Sequence, residues 1–178
     1  MLPILLAIAF IALIFFVVSA GRPDEFVVSR TNKISAPPEQ VFPHVNDFHK
    51  WEAWSPWAKL DPACKNSYEG SAAGTGAVFS WSGNNKVGEG SMTILESRPG
   101  GLIRIKLQFL RPFKATHTAE FAFQAQGHQT VVTWSMFGKN NFVSKAMGLI
   151  MNCDKMVGGD FERGLVNMKS IMETAMKS

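Results

Sequence analysis

The sequence predicts an α+β domain in which a curved antiparallel sheet covers a long C-terminal helix. Between residues 76 and 136, stretches of alternating apolar and polar residues are joined by short turns rich in Gly, Asn and Pro, a pattern typical of an antiparallel meander. After Gly138 the apolar residues instead recur at helical spacing. The first 21 residues carry none of the 18 Lys+Arg and 14 Asp+Glu of the 178-residue chain. We therefore predict an apolar leader, residues 1–21, followed by one globular domain, residues 22–178.

The leader is long enough to cross a bilayer as a single helix. Its apolar run, Leu2–Ala20, has 19 residues, and at about 1.5 Å per residue it spans roughly 30 Å, the thickness of the hydrocarbon core. A cleaved signal peptide is the alternative, because V-S-A at residues 18–20 is an acceptable cleavage site, although a basic n-region is missing. We expect an uncleaved single-pass anchor. Since the nearest basic residues, from Arg22 onward, follow the run, the positive-inside rule favours a cytoplasmic domain.

The composition argues against several classes of protein. Fourteen Phe, five Trp and one Tyr exclude a disordered chain, and a polytopic membrane protein would need a second long apolar run. The net charge of +4 is spread without basic clusters, so no nucleic-acid partner is expected. Cys64 and Cys153 fit neither a metal-site spacing nor a disulfide framework. We interpret them as two buried thiols, with a single disulfide as the alternative if the domain is exported.

The domain begins with a predicted strand and two short helices. Residues 26–34 are rich in β-branched side chains and predict the strand. The following S-A-P-P-E, residues 35–39, is typical of a helix start, and Pro43 should shorten or kink that helix. A second helical piece is predicted over residues 46–51, and an irregular stretch rich in Pro and Trp covers residues 51–63.

Strand signals dominate from there to residue 136. In residues 102–110 four apolar side chains share one face, while Arg104, Lys106 and Gln108 share the other, as in a half-buried strand. Alternation predicts further strands over residues 76–82, 86–97, 114–126 and around 132–136. The side chains that this alternation directs inward are Phe79, Trp81, Met92, Phe109, Phe121, Phe123, Trp134 and Met136.

Two helices are predicted after the sheet, over residues 142–152 and 154–177. The second has an apolar stripe at helical period, formed by Val157, Phe161, Leu165, Met168, Met172 and Ala175. Gly158, Gly159 and Gly164 weaken this helix by roughly 1 kcal/mol each relative to Ala, so they indicate close packing or local flexibility. The side chains that we predict to face inward from the two helices are mostly methionines, which adapt to irregular space. They are Met147, Met151, Met156, Phe161, Met168 and Met172.

Six separated motifs occur in the order that one superfamily shows. They are I-S-A-P-P-E-Q-V-F (34–42), W-E-A-W-S-P-W (51–57), W-S-G-N (81–84), V-G-E-G-S-M (87–92), V-T-W (132–134) and G-D-F-E-R-G-L (159–165). Over residues 25–177 the chain resembles the SRPBCC superfamily (START, Bet v 1 and polyketide cyclase/dehydrase-like proteins), and within it the bacterial branch with an N-terminal membrane segment. The resemblance implies a helix-grip fold, in which the sheet holds the C-terminal helix around an apolar cavity. It leaves activity open, because the family hosts binding proteins, lipid carriers and enzymes.

Aromatic and methionine side chains make up most of the predicted ligand site in that cavity. The three tryptophans of residues 51–57 form either a lid over the cavity or a cap on the core. His117 shares a strand face with Phe121 and Phe123, where it orients a ligand, acts as an acid or base, or is satisfied by a neighbouring hydroxyl or carbonyl. The complete predicted set is Trp51, Trp54, Trp57, Phe79, Trp81, Met92, Phe109, His117, Phe121, Phe123, Trp134, Met136, Met156 and Phe161.

The remaining polar candidates form no coherent catalytic set. Arg30 and Asn32 alternate in step with the apolar residues of the first strand, so they are predicted on the same face. They are either polar groups in the cavity, or a bulge or strand end turns them away from it. Neither Asp160 nor Glu162 has an evident carboxylate partner. The glycine pairs 74/76 and 88/90 do not open a helix after a strand, as a dinucleotide motif requires, so we interpret them as bulges or bends. No cofactor or metal is expected.

The sequence therefore favours a membrane-tethered module that binds a hydrophobic small molecule such as a lipid, an isoprenoid or a polyketide-like compound. Two alternatives stay open. One is a cyclase or dehydratase with His117 as its acid or base, and the other is a structural or interaction protein whose pocket is filled by its own side chains. The ligand and the oligomeric state are not predicted.

Overall fold

The computed structural model describes residues 1–140, 145, 148 and 153–175. Its seven strands form one antiparallel sheet with the spatial order β1-β7-β6-β5-β4-β3-β2. The predicted arrangement of a sheet with a long C-terminal helix is confirmed. Apart from residues 145 and 148, the predicted helix over 142–152 lies outside the described residues. In chain order the elements are α1 (Leu2–Ala20), β1 (Glu25–Ile34), α2 (Pro38–Asn46), a 3₁₀ helix (Phe48–Ala53), β2 (Lys65–Gly70), β3 (Ala77–Ser82), β4 (Glu89–Arg98), β5 (Leu102–Arg111), β6 (Ala115–Gln126), β7 (Gln129–Lys139) and α3 (Cys153–Ala175).

The first strand pairs with the last one. Strands β2 to β7 follow one another across the sheet, and β1 then adds to the free side of β7 in a register that runs from Glu25 opposite Lys139 to Ile34 opposite Thr130. Helix α3 packs mainly on β1, on the face of the sheet that we call the inner face. This pairing brings the start of the domain, the last strand and the long helix together.

Strand β2 is an element that the apolar pattern did not predict. Its sequence K-N-S-Y-E-G has no apolar alternation, and all six residues are exposed. It lies at the sheet edge and pairs only with β3, so neither of its faces needs a continuous apolar row. The other strands begin and end within three residues of the predicted bounds, and α2 continues through Pro43 to Asn46.

Helix α1 coincides with the apolar leader. The structure places side chains for 13 of its 19 residues, and all of these except Ser19 are exposed. Over the part of the chain that the structure describes, no helix combines the length and the apolar character that a membrane crossing requires.

An aromatic cluster fills the space between α3 and the sheet. The Trp134 ring stacks on Phe161 of α3 at 4.0 Å between ring centroids and on Phe121 of β6 at 4.7 Å. The indole N–H groups of Trp51 and Trp54 donate to the carbonyls of Val45 and His44, both at 2.9 Å. Each pair of packed aromatic rings adds about 0.5–1.5 kcal/mol beyond the free energy of burying its apolar area. This cluster is therefore the centre of the core.

Arg30 fastens α3 to β1. Its Nε donates to Glu162 at 2.6 Å and its Nη2 to Asp154 at 3.1 Å, and these contacts raise the pKa of the guanidinium and lower that of the Asp154 carboxyl. A Cβ on Gly158 would overlap the guanidinium, which explains why α3 has a glycine there. Arg30 does lie on the inner face, as its parity indicated, but its donors are engaged by the helix rather than by a cavity.

Candidate functional site

The inner face of the sheet has a buried half and an open half. One row across the strands, formed by Ile94, Ile105, Ala119, Met136 and Val28, is fully buried. The adjacent row, one step towards the start of β1, is mostly half-buried, although most of its side chains are apolar too. We call the half-buried inner-face residues of this end the open half; they are Phe26, Phe79, Trp81, Leu107, Phe109 and His117.

His117 lies in a niche between aromatic rings. The edge of its ring meets Phe26 at 4.9 Å between ring centroids, and Phe109 lies at 6.1 Å. A Cβ on Gly138 would come within 2.5 Å of His117 Nδ1. Gly138 occupies the position where the inward alternation of β7 would otherwise place a side chain, so the glycine provides the room for the imidazole.

The Nδ1 atom of His117 is buried and has no hydrogen-bond partner among the described residues. Burial lowers the pKa of His117 below its ordinary value of 6.5, because the surrounding rings disfavour the charged form. The side chain is therefore a neutral imidazole at pH 7. A neutral imidazole offers one N–H donor and one acceptor nitrogen, and an unpaired buried polar atom favours a ligand that supplies the partner.

Nothing in the open half forms a second catalytic group beside His117. Its described neighbours on the inner face are the rings of Phe26 and Phe109, Leu107 on the paired strand and Gly138, and none of them is acidic. Within the described ranges no group of three His, Cys, Asp or Glu side chains is placed to hold a metal ion. The arrangement can bind an apolar molecule and orient one polar group of it.

The structure separates the predicted site residues into three groups. Five members are half-buried: Phe79, Trp81, Phe109 and His117 lie in the open half, and Trp57 lies against Trp134 and Phe161 of the aromatic cluster. Met156 is 53% exposed; its predicted inward position is wrong, because it lies beside the apolar stripe of α3 and not in it. The remaining members belong to the buried core and are Trp51, Trp54, Met92, Phe121, Phe123, Trp134, Met136 and Phe161.

The tryptophan motif is therefore a part of the core and not a lid. Trp51 and Trp54 are 6% and 0% exposed, while Trp57 packs edge-on against Trp134 and Phe161. The prediction also omitted Phe26 and Leu107 from the site. Their strand parity was visible in the sequence, but only the pairing register places them beside His117.

Two surface hollows have volumes of about 360 and 350 Å³. The first borders the open half, because Phe26, His117 and Gly138 contribute to its lining together with outward-facing residues such as Lys106 and Thr118. The second is lined by residues of β2, β3 and β4 with Leu110. We place the candidate site on the inner face, where Nδ1 of His117 is buried without a partner among the described residues.

We expect acid to destabilise the fold through His117. The unfolded imidazole titrates near 6.5, and the folded one titrates at a lower pH, so below pH 6.5 the unfolded state binds more protons. The free energy of unfolding should therefore fall as the pH drops from 7 through 6.5 towards the folded pKa. His117→Asn should make this pH dependence shallower, as measured by urea denaturation of the full chain between pH 7.5 and 5.

His44 provides the matched control for this measurement. Burial, with a smaller contribution from Lys50, also lowers its pKa, so His44→Asn should remove a separate share of the same slope. An unchanged slope in His117→Asn would show that the imidazole does not titrate as its burial implies.

Comparison with known proteins agrees with this fold. The sequence matches the family described as polyketide cyclase/dehydrase and lipid transport over residues 25–173. No curated protein matches it. Among solved structures, protein CV1439 from Chromobacterium violaceum is 15% identical, with a TM-score of 0.59 over 85% of this chain and 99% of that one.

Two further solved structures are similar to this chain. CalU16 from Micromonospora echinospora is 15% identical, with a TM-score of 0.55 over 86% of this chain and 87% of that one. DynU16, from the dynemicin biosynthetic locus, is 14% identical, with a TM-score of 0.59 over 86% of this chain but only 49% of that one. At such identities the similarities show a shared fold.

Proposed function

Because the chain belongs to the polyketide cyclase/dehydrase and lipid transport family, we propose that it binds a hydrophobic small molecule in the open half of its inner face. The observation that carries this proposal is the buried, unpartnered Nδ1 of His117 within an otherwise apolar surface. A ligand that covers the rings and offers one hydroxyl or carbonyl group would satisfy both features. Lipids, isoprenoids and polyketide-like compounds have this chemistry.

The filled core limits where the ligand can lie. The sheet and α3 touch through Trp134, Phe161 and Gly164, so this half of the interface belongs to the protein's own side chains. The proposed ligand site is therefore smaller than a cavity that would extend along the whole of α3. The alternative hypothesis, in which the protein's own side chains fill the pocket, then describes only the buried half of the inner face.

Photolabelling of the full chain tests the proposal. A long-chain alcohol that carries a diazirine near its hydroxyl group should label peptides that contain residues of the open half. Phe109→Glu places a carboxylate there, and we expect labelling of this region to fall at least about tenfold, because an apolar ligand cannot pair a buried charge. Val166→Glu, on the exposed face of α3, is the matched control and should label as the wild type does.

Two results would contradict the proposal. One is labelling that spreads evenly over the surface, and the other is labelling of the open half that Phe109→Glu leaves unchanged. Because Phe109 is half-buried, the milder Phe109→Ser is measured in parallel, and circular dichroism of each variant checks that the fold is retained.

An enzymatic role is the second candidate, and the neutral imidazole of His117 supports it. A cyclase or dehydratase needs a group that takes up and returns a proton near pH 7, and His117 is the described side chain of the open half that can do so. If a bound compound is converted, His117→Ala should abolish turnover of whatever compound the variant still binds, as followed by mass spectrometry of the bound compound. Full turnover by His117→Ala would remove this candidate.

We also propose that the leader anchors the domain in a membrane. The support comes from the sequence: 19 consecutive residues without a charge, close in length to a bilayer span. The anchored chain should stay with the membrane fraction in alkaline carbonate. Release into the supernatant would contradict the anchor without bearing on ligand binding.

A further inference from the structure

Several segments meet at the end of the sheet where the leader enters the domain. The backbone N–H of Asn140 donates to Asp24 there at 2.7 Å, and Nη2 of Arg111 donates to the carbonyl of Gly83 at 3.3 Å. The turn between β5 and β6 therefore lies beside the turn between β3 and β4. We call this end the leader edge; it comprises residues 21–25, 83–88, 110–114 and 139–140.

Large apolar side chains project from the leader edge. Phe113, in the turn between β5 and β6, is 63% exposed, and Leu110 at the end of β5 is 47% exposed. Each is flanked by a basic residue, Lys114 and Arg111 respectively. An exposed apolar tip between cations is an arrangement that fits the boundary between lipid headgroups and acyl chains.

The charges of the leader edge leave an excess of cations. Arg111 pairs with Glu89 at 2.7 Å and Lys145 pairs with Asp24, while Glu25 lies opposite Lys139 in the strand register. Three cations of the leader edge, Arg22, Lys86 and Lys114, have no acidic partner among the described residues, whereas both of its acidic residues, Asp24 and Glu25, lie beside a lysine. This balance complements an anionic surface.

The leader holds this edge close to any membrane in which it lies. Only residues 21–24 separate the end of α1 from the start of β1. Four extended residues span at most about 14 Å, so the start of β1 cannot lie farther than that from the end of α1. This reach is about twice the thickness of one headgroup layer, roughly 5–8 Å, so the leader edge can contact the headgroups.

We propose that the leader edge docks onto the surface of an anionic bilayer, with Leu110 and Phe113 among the headgroups and Lys86 and Lys114 against the lipid phosphates. The proposal rests on the membrane anchor proposed above and is independent of ligand binding. Docking would turn the open half towards the bilayer, because Phe26, Phe109 and His117 lie in the rows nearest to this edge. A ligand could then pass between membrane and protein without crossing water.

Fluorescent labels at three positions of the full chain test the docking. With both cysteines replaced by serine, an environment-sensitive dye is attached to a new cysteine in the variant Leu13→Cys, Leu110→Cys or Leu95→Cys. Leu13 reports on the leader and Leu110 on the leader edge. Leu95, which is 50% exposed on β4, is the matched control. Vesicles contain phosphatidylcholine with or without phosphatidylserine, and a lipid with a spin-labelled acyl chain quenches dyes that enter the bilayer.

We expect quenching at position 13 in both vesicles, quenching at 110 that increases with phosphatidylserine, and none at 95. Lys86→Ala or Lys114→Ala should each lower the ratio of docked to undocked chains roughly fivefold, and Phe113→Ser should lower the quenching at 110.

Quenching at 13 without quenching at 110 would overturn the docking while leaving the anchor intact. Loss of quenching at 13 would overturn both. The dye at position 110 could also report an apolar environment without vesicles, to an extent that depends on protein concentration. That result would identify a second copy of the chain as the occupant of this surface and overturn the proposal.

Discussion

Trp134→Ala is expected to lower the free energy of unfolding by about 3–5 kcal/mol, the range for removing a large aromatic side chain from a packed core. The Trp134 ring is 3% exposed and lies between the rings of Phe161 and Phe121. It also meets Trp54 edge-on at 5.6 Å. Truncation would therefore leave a void between β7 and α3 that neither flanking ring can fill by a simple rotation. Urea denaturation of the full chain in mild detergent, followed by far-ultraviolet circular dichroism, measures this loss.

Two variants calibrate this expectation. Val166→Ala, on the exposed side of α3, should change the stability by less than about 0.5 kcal/mol. Trp134→Phe keeps a ring in the stack and removes the indole Nε1, which is buried without a partner among the described residues, so it should cost far less than alanine. A loss below about 1 kcal/mol in Trp134→Ala would mean that this cluster is not the centre of the core.

The sequence predicted the faces of the strands but not the division of the inner face. Phe109 and Phe121 have the same inward parity on neighbouring strands, yet Phe121 is fully buried and Phe109 is half-buried. Alternation assigns a side chain to a face and says nothing about its position along the strand relative to α3. That position depends on the register between strands, which places Phe121 beside Trp134 and Phe109 beside Ala115. Core and site residues therefore had the same pattern in the sequence.

The niche of His117 is a second feature that the alternation along single strands could not predict. The inward positions of β7 run through Val132, Trp134 and Met136 to Gly138, and in the sequence this glycine marks only the point where the strand pattern ends. Pairing places Gly138 opposite Phe26, and the ring of His117 occupies the space that a side chain would fill. A glycine that accommodates a neighbour across strands has no signature along its own strand. By contrast, the helical stripe from Phe161 to Met172 could be read directly, because its period is local.

The buried and open halves of the inner face are expected to respond differently to substitution. Changes in the aromatic cluster should alter stability, since these side chains touch only protein. Changes at Phe109 or His117 should mainly alter ligand binding, since these side chains are half-exposed and, for His117 Nδ1, unpaired. The chain combines a helix-grip core with a sheet face of which one end is only half-buried, and this end lies beside the leader.

Gly164→Ala is expected to destabilise the fold even though alanine favours helices. A Cβ on Gly164 would lie 2.8 Å from Cζ3 of Trp134 and 3.2 Å from Cδ of Pro56, and the Trp134 ring is held within the core. Overpacking of this kind costs about 1–3 kcal/mol, which exceeds the gain of about 1 kcal/mol from replacing glycine by alanine within a helix. The free energy of unfolding from urea denaturation should therefore decrease.

Gly159→Ala is the matched control, because it makes the same change in the same helix. A Cβ on Gly159 would meet only Nη1 of Arg163, at 3.9 Å, so the propensity gain is unopposed and the stability should rise by up to about 1 kcal/mol. Combining Gly164→Ala with Trp134→Phe removes the indole atom that the new Cβ would meet, so the two substitutions should couple and the penalty at Gly164 should shrink. If both alanine variants changed the stability in the same direction, the glycine at 164 would not be required by the contact between α3 and Trp134.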